Sequence, residues 1–345
     1  MPERPKERKE RNGAPASERV GSKTEVQPVE RSKQEIQRAI QEDEVRREQM
    51  KAAVSEHPEE RATAALSLSP EKIRSDYAQQ YLPSHVREAK PSLMRQVVGK
   101  SLGMLLWVRE HLAGWRVSGR EHIPTEGEFL AICNHQGGES GILMGLFAQQ
   151  PMHLVSGEQT HWQRNPLRTW FLEKLGMLPV KESLAHLAPA EQQTLVERAH
   201  PRARAGYQKV VDREQTASSL ERTVDLRQSV RSIVACLVRG EPVTLFPEGL
   251  FLYDGNSGMR RGYALTDAVA LEYERVTGEA LRILPVAIDR KQVQVGQTFT
   301  LKEQPKGIGI SRSDAVIAHV AELLPKERQG YYEPIVEKLA SKKAK

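Results

Sequence analysis

Apolar and polar positions follow two alternating patterns along most of this chain. Short apolar runs of strand character, such as residues 129–133 and 243–246, stand between stretches in which apolar residues recur every three or four positions, as in residues 92–115 and 229–239. A last apolar run, residues 293–299, is predicted to be an edge strand. Strands that alternate with helices build a mostly parallel sheet. We therefore predict the α/β fold class, with a mostly parallel sheet flanked by helices.

The pattern changes towards both ends of the chain. Residues 1–90 have few large apolar side chains and alternate Lys and Arg with Glu, which leaves too little apolar surface to offset the entropy lost on ordering. We predict a disordered charged arm there, a single domain over residues 91–325 and a basic helix or tail over residues 326–345. Within the domain, residues 183–225 are long and polar, and they are predicted to be an insertion.

Composition narrows the classes of protein that the chain can belong to. Its two cysteines, Cys133 and Cys236, exclude a disulfide framework and suit a reducing compartment. The first residues lack the apolar core of a secretory signal, and no run reaches the roughly 18 apolar residues of a spanning helix. A net charge of +6 suits an anionic partner, which is either a membrane surface or a nucleic acid. Basic and aromatic residues do not interleave and zinc-ligand spacing is missing, so we expect no nucleic-acid partner.

One helical stretch has the pattern of a membrane-surface element. In residues 92–115, leucine and valine recur at helical spacing, while Arg95, Lys100, Arg109 and Trp107 fall between them. Such an amphipathic helix either lies in the interface of a bilayer or packs against its own domain.

The residues best suited to catalysis follow two of the apolar runs. His135 comes just after the first run, and Glu139 stands four positions later, on the same face if the chain becomes helical there. The second run ends in Phe246-Pro247-Glu248-Gly249. In α/β folds the carboxyl ends of the strands carry the functional site, so we expect both groups at one edge of the sheet. A histidine with a nearby carboxylate is a common arrangement for a general base and the group that orients it.

Four blocks of the sequence together resemble a known enzyme family. They are Asn134-His135 after a strand, residues 175–180 with Gly176, Phe246-Pro247-Glu248-Gly249, and the strand at residues 284–287, in this order. This arrangement is similar to the four blocks of the glycerolipid acyltransferases typified by lysophosphatidate acyltransferase. The similarity extends from about residue 114 to about residue 299.

The resemblance implies transfer of a fatty acyl group from a thioester donor, acyl-CoA or acyl-carrier protein, to a hydroxyl of a glycerolipid such as lysophosphatidate. No cofactor and no metal are expected. A hydroxyl is a poor nucleophile near pH 7, so His135 would take its proton while it attacks the thioester carbonyl. Glu139 would orient the imidazole, and no covalent intermediate is needed. The alternative for His135 is a structural histidine.

The chain departs from the family pattern near its predicted site. The family has an aspartate five residues after the histidine, where this chain has Ser140, with Glu139 one position earlier. The family also has an arginine six residues after the glycine of its second block, where this chain has Glu182 preceded by Lys181. The ammonium of a lysine is a point charge, whereas the guanidinium of an arginine is planar and can donate two parallel hydrogen bonds. The predicted substrate-binding residues are Asn134, Lys181, Phe246, Pro247, Glu248, Gly249 and Arg261, of which Arg261 is the candidate phosphate contact. For Lys181 the alternative is a surface lysine, and for Glu248 a helix-cap or loop carboxylate.

Two other functions remain open from the sequence. The first is an acyltransferase-fold protein that binds lipid but is catalytically inactive, because Ser140 replaces the aspartate. The second is a lipid hydrolase that uses Ser140 as nucleophile, although residues 138–142 end in Ile142 where the nucleophile elbow has glycine. We expect a cytoplasmic enzyme held peripherally on the inner face of a membrane. Its expected partners are the membrane surface, a lipid acceptor and an acyl thioester donor.

Overall fold

The structure is a computed structural model, and all its described residues lie in one compact unit, Leu68–Lys345. Residues 1–68 and most of residues 88–113 are outside the described part. The described residues are 69–87, 101, 104, 108, 114–134, 152–157, 166–174, 176–181, 189–198, 201–248, 258–259, 261–262, 265–304 and 310–343.

A seven-stranded sheet forms the centre of the described structure. Its strands are β1 (Arg116–Ser118), β2 (Leu130–Cys133), β3 (His153–Gly157), β4 (Leu178–Val180), β5 (Val243–Leu245), β6 (Ile283–Asp289) and β7 (Gln292–Val295). They lie in the order β1-β7-β6-β2-β5-β3-β4. Strands β2 to β6 are all parallel, whereas β7 is antiparallel to β6 and pairs in parallel with β1. The predicted α/β class with a mostly parallel sheet is confirmed.

The edge of the sheet differs from the sequence prediction. Strand β7 was expected at the edge, but β1 pairs with its outer side, so β1 and β4 are the edge strands. A local pattern predicts a strand but not the neighbour with which it pairs, which is why the prediction of an edge at residues 293–299 was wrong. Only the four residues of β7 are paired as a strand; Phe299 forms a separate bridge to Ile283.

The central strand β2 is buried on both faces. Leu130 and Ile132 belong to the larger hydrophobic core, and Ala131 and Cys133 belong to a second cluster with residues of β6 and β7. All four side chains have no exposed surface. A continuous apolar run is what a parallel strand covered on both faces requires.

Helices pack against the larger core. The described helices are α1 (Pro70–Tyr81), α2 (Pro166–Lys174), α3 (Pro189–Arg198), α4 (Pro201–Thr216), α5 (Ser219–Leu237), α6 (Leu265–Thr277), α7 (Arg312–Glu322) and α8 (Glu333–Lys343). Helix α5 shows how the sequence specifies them: Ser218 and Glu221 form a capping box at its start, and Val230, Ile233, Val234 and Leu237 form one buried face. No helix among the described residues is long and apolar enough to cross a membrane.

The ordered domain begins earlier than the predicted boundary at residue 90. Helix α1 packs on α5 and α6, and Ala78, Leu82 and Val86 are buried in the core. The prediction of a disordered arm is therefore wrong for residues 69–87. Average composition hides this segment, because only a few of its apolar residues reach the core, among them Leu82 and Val86, and each such side chain contributes about 1.5–3 kcal/mol.

The predicted insertion consists of helices within the described parts of residues 183–225. Helices α3 and α4 pack on each other, and Val196, Tyr207, Val210 and Val211 are buried. The segment also includes the first turns of α5, which belongs to the core. Whether the rest is an insertion relative to other proteins stays a prediction.

The C-terminal residues belong to the core and do not form a tail. Residues 333–343 form the predicted helix, α8, but Tyr332, Ile335 and Leu339 are buried in the larger hydrophobic cluster. The predicted domain end at residue 325 is therefore too early. Lys338 and Lys342 of α8, two of the basic residues that suggested a tail, are exposed, whereas Arg328 is buried.

Candidate functional site

The two strands that precede the predicted catalytic blocks are direct neighbours. Leu130 of β2 pairs with Val243 of β5, and Ile132 pairs with Leu245, in parallel. The chain therefore leaves β2 towards His135 beside the point where it leaves β5 towards Glu248. The ends of these two strands therefore lie side by side at the carboxyl edge of one sheet, and the position of His135 at that edge stays a prediction.

The predicted base and its partner carboxylate lie outside the described residues. The same is true of Gly249 and of Ser140. The last described residue before them is Asn134, and the structure fixes its role in detail. Asn134 is 1% exposed; its Nδ2 donates to the Ile288 carbonyl at 2.8 Å, and its Oδ1 accepts from the Ile288 amide at 2.7 Å. Both ends of the amide are thus used to hold the end of β2 on β6, so we assign Asn134 to positioning rather than to substrate contact.

The change Asn134→Ala is expected to lower the free energy of unfolding by about 2 kcal/mol, because the buried amide and carbonyl of Ile288 lose their partners. Thermal or urea unfolding measures this loss. The change Asn134→Asp is the matched variant: it keeps the acceptor for the Ile288 amide but sets a buried carboxylate against the Ile288 carbonyl, so its stability should recover as the pH falls and the carboxyl is protonated.

The end of β5 is in contact with a second segment of the chain. A Cβ atom on Gly262 would lie 2.8 Å from the Pro247 carbonyl oxygen and 2.5 Å from Cδ1 of Ile317, so only glycine permits this approach. Phe246 packs partly buried against the second cluster, and Glu248 is 8% exposed. The segment with Arg261 and Gly262 therefore lies directly against the Phe246-Pro247-Glu248 block.

Arg261 is the cationic residue next to the contact between Gly262 and Pro247. Its guanidinium lies 3.8 Å from Oδ2 of Asp314 and 5.7 Å from the centre of the Tyr331 ring. Half of its side-chain surface is exposed. A guanidinium has five N–H donors, so an anion can bind to it without displacing these contacts.

Lys181 is in a different environment from Arg261. It follows β4, which is separated from β5 by β3, or by about 10 Å at the usual strand spacing. Its Nζ donates to Oδ1 of Asp225 at 2.6 Å, and Arg213 pairs with the other oxygen of the same carboxylate. Lys181 is thus already ion-paired, and this contact 44 residues along the chain gives no signal in the sequence.

A buried charged network lies at the amino ends of the strands, and it was not predicted from the sequence. His153, at the start of β3, has no exposed surface; its Nδ1 donates to the Gly176 carbonyl and its Nε2 to Oε2 of Glu241, both at 2.5 Å. Arg239 pairs with the other oxygen of Glu241 and donates to the Val86 carbonyl at 2.6 Å. Burial opposes ionisation of Glu241, but His153 and Arg239 outweigh it and lower the pKa of the carboxyl to about 2.

His153, Glu241 and Cys236 also offer three possible metal ligands whose atoms lie within 4.8 Å of one another. The contacts favour an ion-paired network instead. The His153 and Glu241 atoms are at hydrogen-bond distance, and Arg239 already neutralises the carboxylate, which leaves little negative charge for a cation. We therefore assign these residues to the stability of the fold.

Comparisons with known proteins give one family. The sequence model of that family, the acyltransferases, matches residues 114–289, more than half of the chain. The chain can also be superposed on the crystal structure of the 1-acyl-sn-glycerophosphate (LPA) acyltransferase PlsC from Thermotoga maritima, with a TM-score of 0.41 and 15% sequence identity over 79% of this chain and 95% of that one. No curated protein sequence matches this chain significantly.

Proposed function

Since this chain belongs to the acyltransferase family, we propose that it moves a fatty acyl group from an acyl thioester to a hydroxyl of a glycerolipid such as lysophosphatidate. The observation that supports the proposal is the pairing of β2 with β5, so that the strand before Asn134-His135 ends beside the strand before Phe246-Pro247-Glu248. The donor is acyl-CoA or acyl-carrier protein, and it acts as a substrate rather than as a cofactor.

The reaction is a direct attack with histidine assistance. The acceptor hydroxyl oxygen attacks the thioester carbonyl carbon, and one ring nitrogen of His135 takes the hydroxyl proton. The tetrahedral intermediate then collapses, the C–S bond breaks, and the thiolate leaves and takes the proton from His135. Glu139 accepts a hydrogen bond from the other ring nitrogen and stabilises the charged imidazole.

The acceptor headgroup is assigned to the exposed guanidinium of Arg261. Arg261 directly precedes Gly262, which contacts Pro247, and its ion pair with Asp314, at 3.8 Å, is looser than that of Lys181 with Asp225, at 2.6 Å. A planar guanidinium also matches a phosphate better than an ammonium does. Phe246, Pro247, Glu248 and Gly249 then form the wall beside the acceptor, and Lys181 is kept as a secondary candidate.

The substrates also determine where the enzyme would work. A glycerolipid acceptor lies in a bilayer, so the protein must reach a membrane surface. The net charge of +6 favours an anionic leaflet. We propose a peripheral enzyme on the inner, cytoplasmic face, with no nucleic-acid partner.

One observation favours a second candidate function. Ser140 stands where the family has its aspartate, and a site without an orienting carboxylate would bind lipid but not catalyse transfer. The two functions differ in a simple assay. Purified protein is given radiolabelled oleoyl-CoA or oleoyl-acyl-carrier protein, together with 1-oleoyl-lysophosphatidate, in detergent micelles. Labelled phosphatidate supports the transferase, whereas lipid binding without product supports the inactive protein.

The change Glu139→Gln is expected to lower the transfer rate by about tenfold or more, because glutamine cannot stabilise the charged imidazole. Ser140→Ala should leave the rate within about twofold of the unmodified enzyme. Both rates are measured with the phosphatidate assay. The opposite result, a loss with Ser140→Ala alone, would support the hydrolase, and release of free fatty acid from the acceptor would identify it.

A further inference from the structure

A short segment near the C-terminus, residues 328–332, holds the chain that carries Arg261. We call it the C-terminal brace. The Met259 amide donates to the Arg328 carbonyl at 3.0 Å, and the Tyr331 amide donates to the Met259 carbonyl at 2.8 Å. These two backbone bonds fix Met259 two residues before Arg261. The brace lies beyond the residues that the family model matches, which end at residue 289.

Two glycines let the brace approach this closely. A Cβ atom on Gly258 would lie 2.5 Å from the Cα of Gly330, and one on Gly330 would lie 2.3 Å from the Met259 carbonyl oxygen. Gly330 also has a φ of +57°, in the left-handed region. The two backbones therefore touch directly, and the contact leaves the chain near Arg261 little freedom to shift.

Tyr332 of the brace binds Gly262, the residue that contacts Pro247. The Tyr332 hydroxyl accepts a hydrogen bond from the Gly262 amide at 2.8 Å, and Tyr332 is fully buried. Burial, together with the nearby charges of Asp314 and Glu248, raises the pKa of Tyr332 and keeps the hydroxyl neutral. Tyr332 thus holds Gly262, the residue after Arg261, from the side of the brace.

The brace is also tied to the strand that holds Asn134. The Nε of Arg328 lies 3.0 Å from Oδ1 of Asp289, and both side chains are largely buried. Asp289 directly follows Ile288, whose backbone binds the Asn134 side chain. One segment is therefore linked to both strand ends that define the site.

We propose that the C-terminal brace positions Arg261 for the phosphate of an anionic lipid acceptor, with the Tyr331 ring holding the guanidinium over its face. This inference rests on the proposed function. A guanidinium within about 6 Å of a ring centre is attracted to it. Asp314 lies on one side of the group, the ring lies against one face, and half of the side-chain surface stays exposed. Tyr331 is a positioning residue, since it acts through Arg261.

The test compares a charged and a neutral ligand on the full chain. The probes are 1-hexanoyl-lysophosphatidate and 1-hexanoylglycerol, and isothermal titration calorimetry measures their dissociation constants. Loss of the ring in Tyr331→Leu should weaken binding of the phosphate probe by about two- to fivefold, the size of an exposed cation–π contact. Binding of the neutral probe should not change. Tyr331→Phe keeps the ring and should bind both probes as the unmodified protein does.

The chain offers a matched control for the loss of a ring under a guanidinium. Arg231 lies 4.9 Å over the Tyr81 ring on the α1–α5 side of the core, so Tyr81→Leu removes the same kind of contact elsewhere. It should leave both dissociation constants unchanged. In the acylation assay, Tyr331→Leu should raise KM for lysophosphatidate by a similar factor and leave kcat within about twofold, because the contact acts through a group that binds the acceptor.

The possible outcomes separate the inference from the proposed function. Phosphate binding that depends on Tyr331, in a protein without transferase activity, supports the brace and overturns the proposed function. Transferase activity with unchanged binding in Tyr331→Leu overturns the brace and leaves the function intact. Equal loss of both probes, or no binding of the phosphate probe by the unmodified protein, also overturns the brace.

Discussion

Replacing His135 with alanine should lower the rate of acyl transfer by about 1,000-fold, within the range that a positioned general base contributes. Without the imidazole, the acceptor hydroxyl must lose its proton to water as it attacks the thioester. The phosphatidate assay measures the rate under saturating donor. KM for the acceptor should change little, because Arg261 and the β5 turn remain.

The fold should not depend on His135, because Asn134 anchors the end of β2 through Ile288. The unfolding temperature of His135→Ala should therefore match that of the unmodified protein. Added imidazole, which can enter the space left by the missing ring, should restore part of the rate. Full activity in a folded His135→Ala protein would contradict the proposed mechanism and leave only the fold assignment.

The sequence was sufficient to predict the centre of the fold. The continuous apolar run of β2 and the helical spacing in α5 are local signals, and burial of those residues bears out both. That β2 and β5 end at one edge of the sheet followed from a general property of parallel sheets, whereas the structure shows that the two strands are direct neighbours.

The parts that were missed depend on contacts between distant residues. Helix α1 is stable because Ala78, Leu82 and Val86 reach the core around α5, more than 130 residues away in sequence. The partnership of Tyr332 with Gly262 spans 70 residues, and that of His153 with Glu241 spans 88. No local pattern predicts such pairs, because the sequence around each residue is typical of a loop, a strand end or a basic tail.

The case of Lys181 shows the same limit at the site. Its position after Gly176 suggested a phosphate ligand by family resemblance, but its ammonium is held by Asp225 of α5. A charge that a sequence places near a site can be neutralised by a partner from another element. Arg261, by contrast, keeps an exposed half, and this difference is why the acceptor headgroup is assigned to it.

Removing the carboxylate of the buried network is expected to have the largest effect on stability. The change Glu241→Ala leaves His153 and Arg239 without their shared partner, and the loss of one member of a buried ion pair costs about 3–5 kcal/mol. Urea unfolding at pH 7 measures it. The exposed pair Lys326–Glu337 is the matched control, and Glu337→Ala should cost less than about 1 kcal/mol.

The same carboxylate should account for part of the stability that the unmodified protein loses in acid. The pKa of Glu241 is about 2 in the folded protein against an ordinary value of 4.5, so the folded state binds its proton more weakly than the unfolded chain does. Its contribution is complete above pH 4.5 and is lost as pH falls towards 2, by about 3 kcal/mol for a shift of this size. Stability measured between pH 5 and pH 2 should decline less steeply in Glu241→Ala.

The location of the network separates this effect from catalysis. His153 begins β3 and Glu241 precedes β5, so both lie at the amino edge of the sheet, opposite Asn134 and the Pro247-Glu248 turn. The transfer rate per folded molecule should therefore be unchanged in Glu241→Ala at a temperature where the variant stays folded. A variant that kept its stability but lost its activity would show that the network acts on the site and does not simply hold β3, β4 and α1 together.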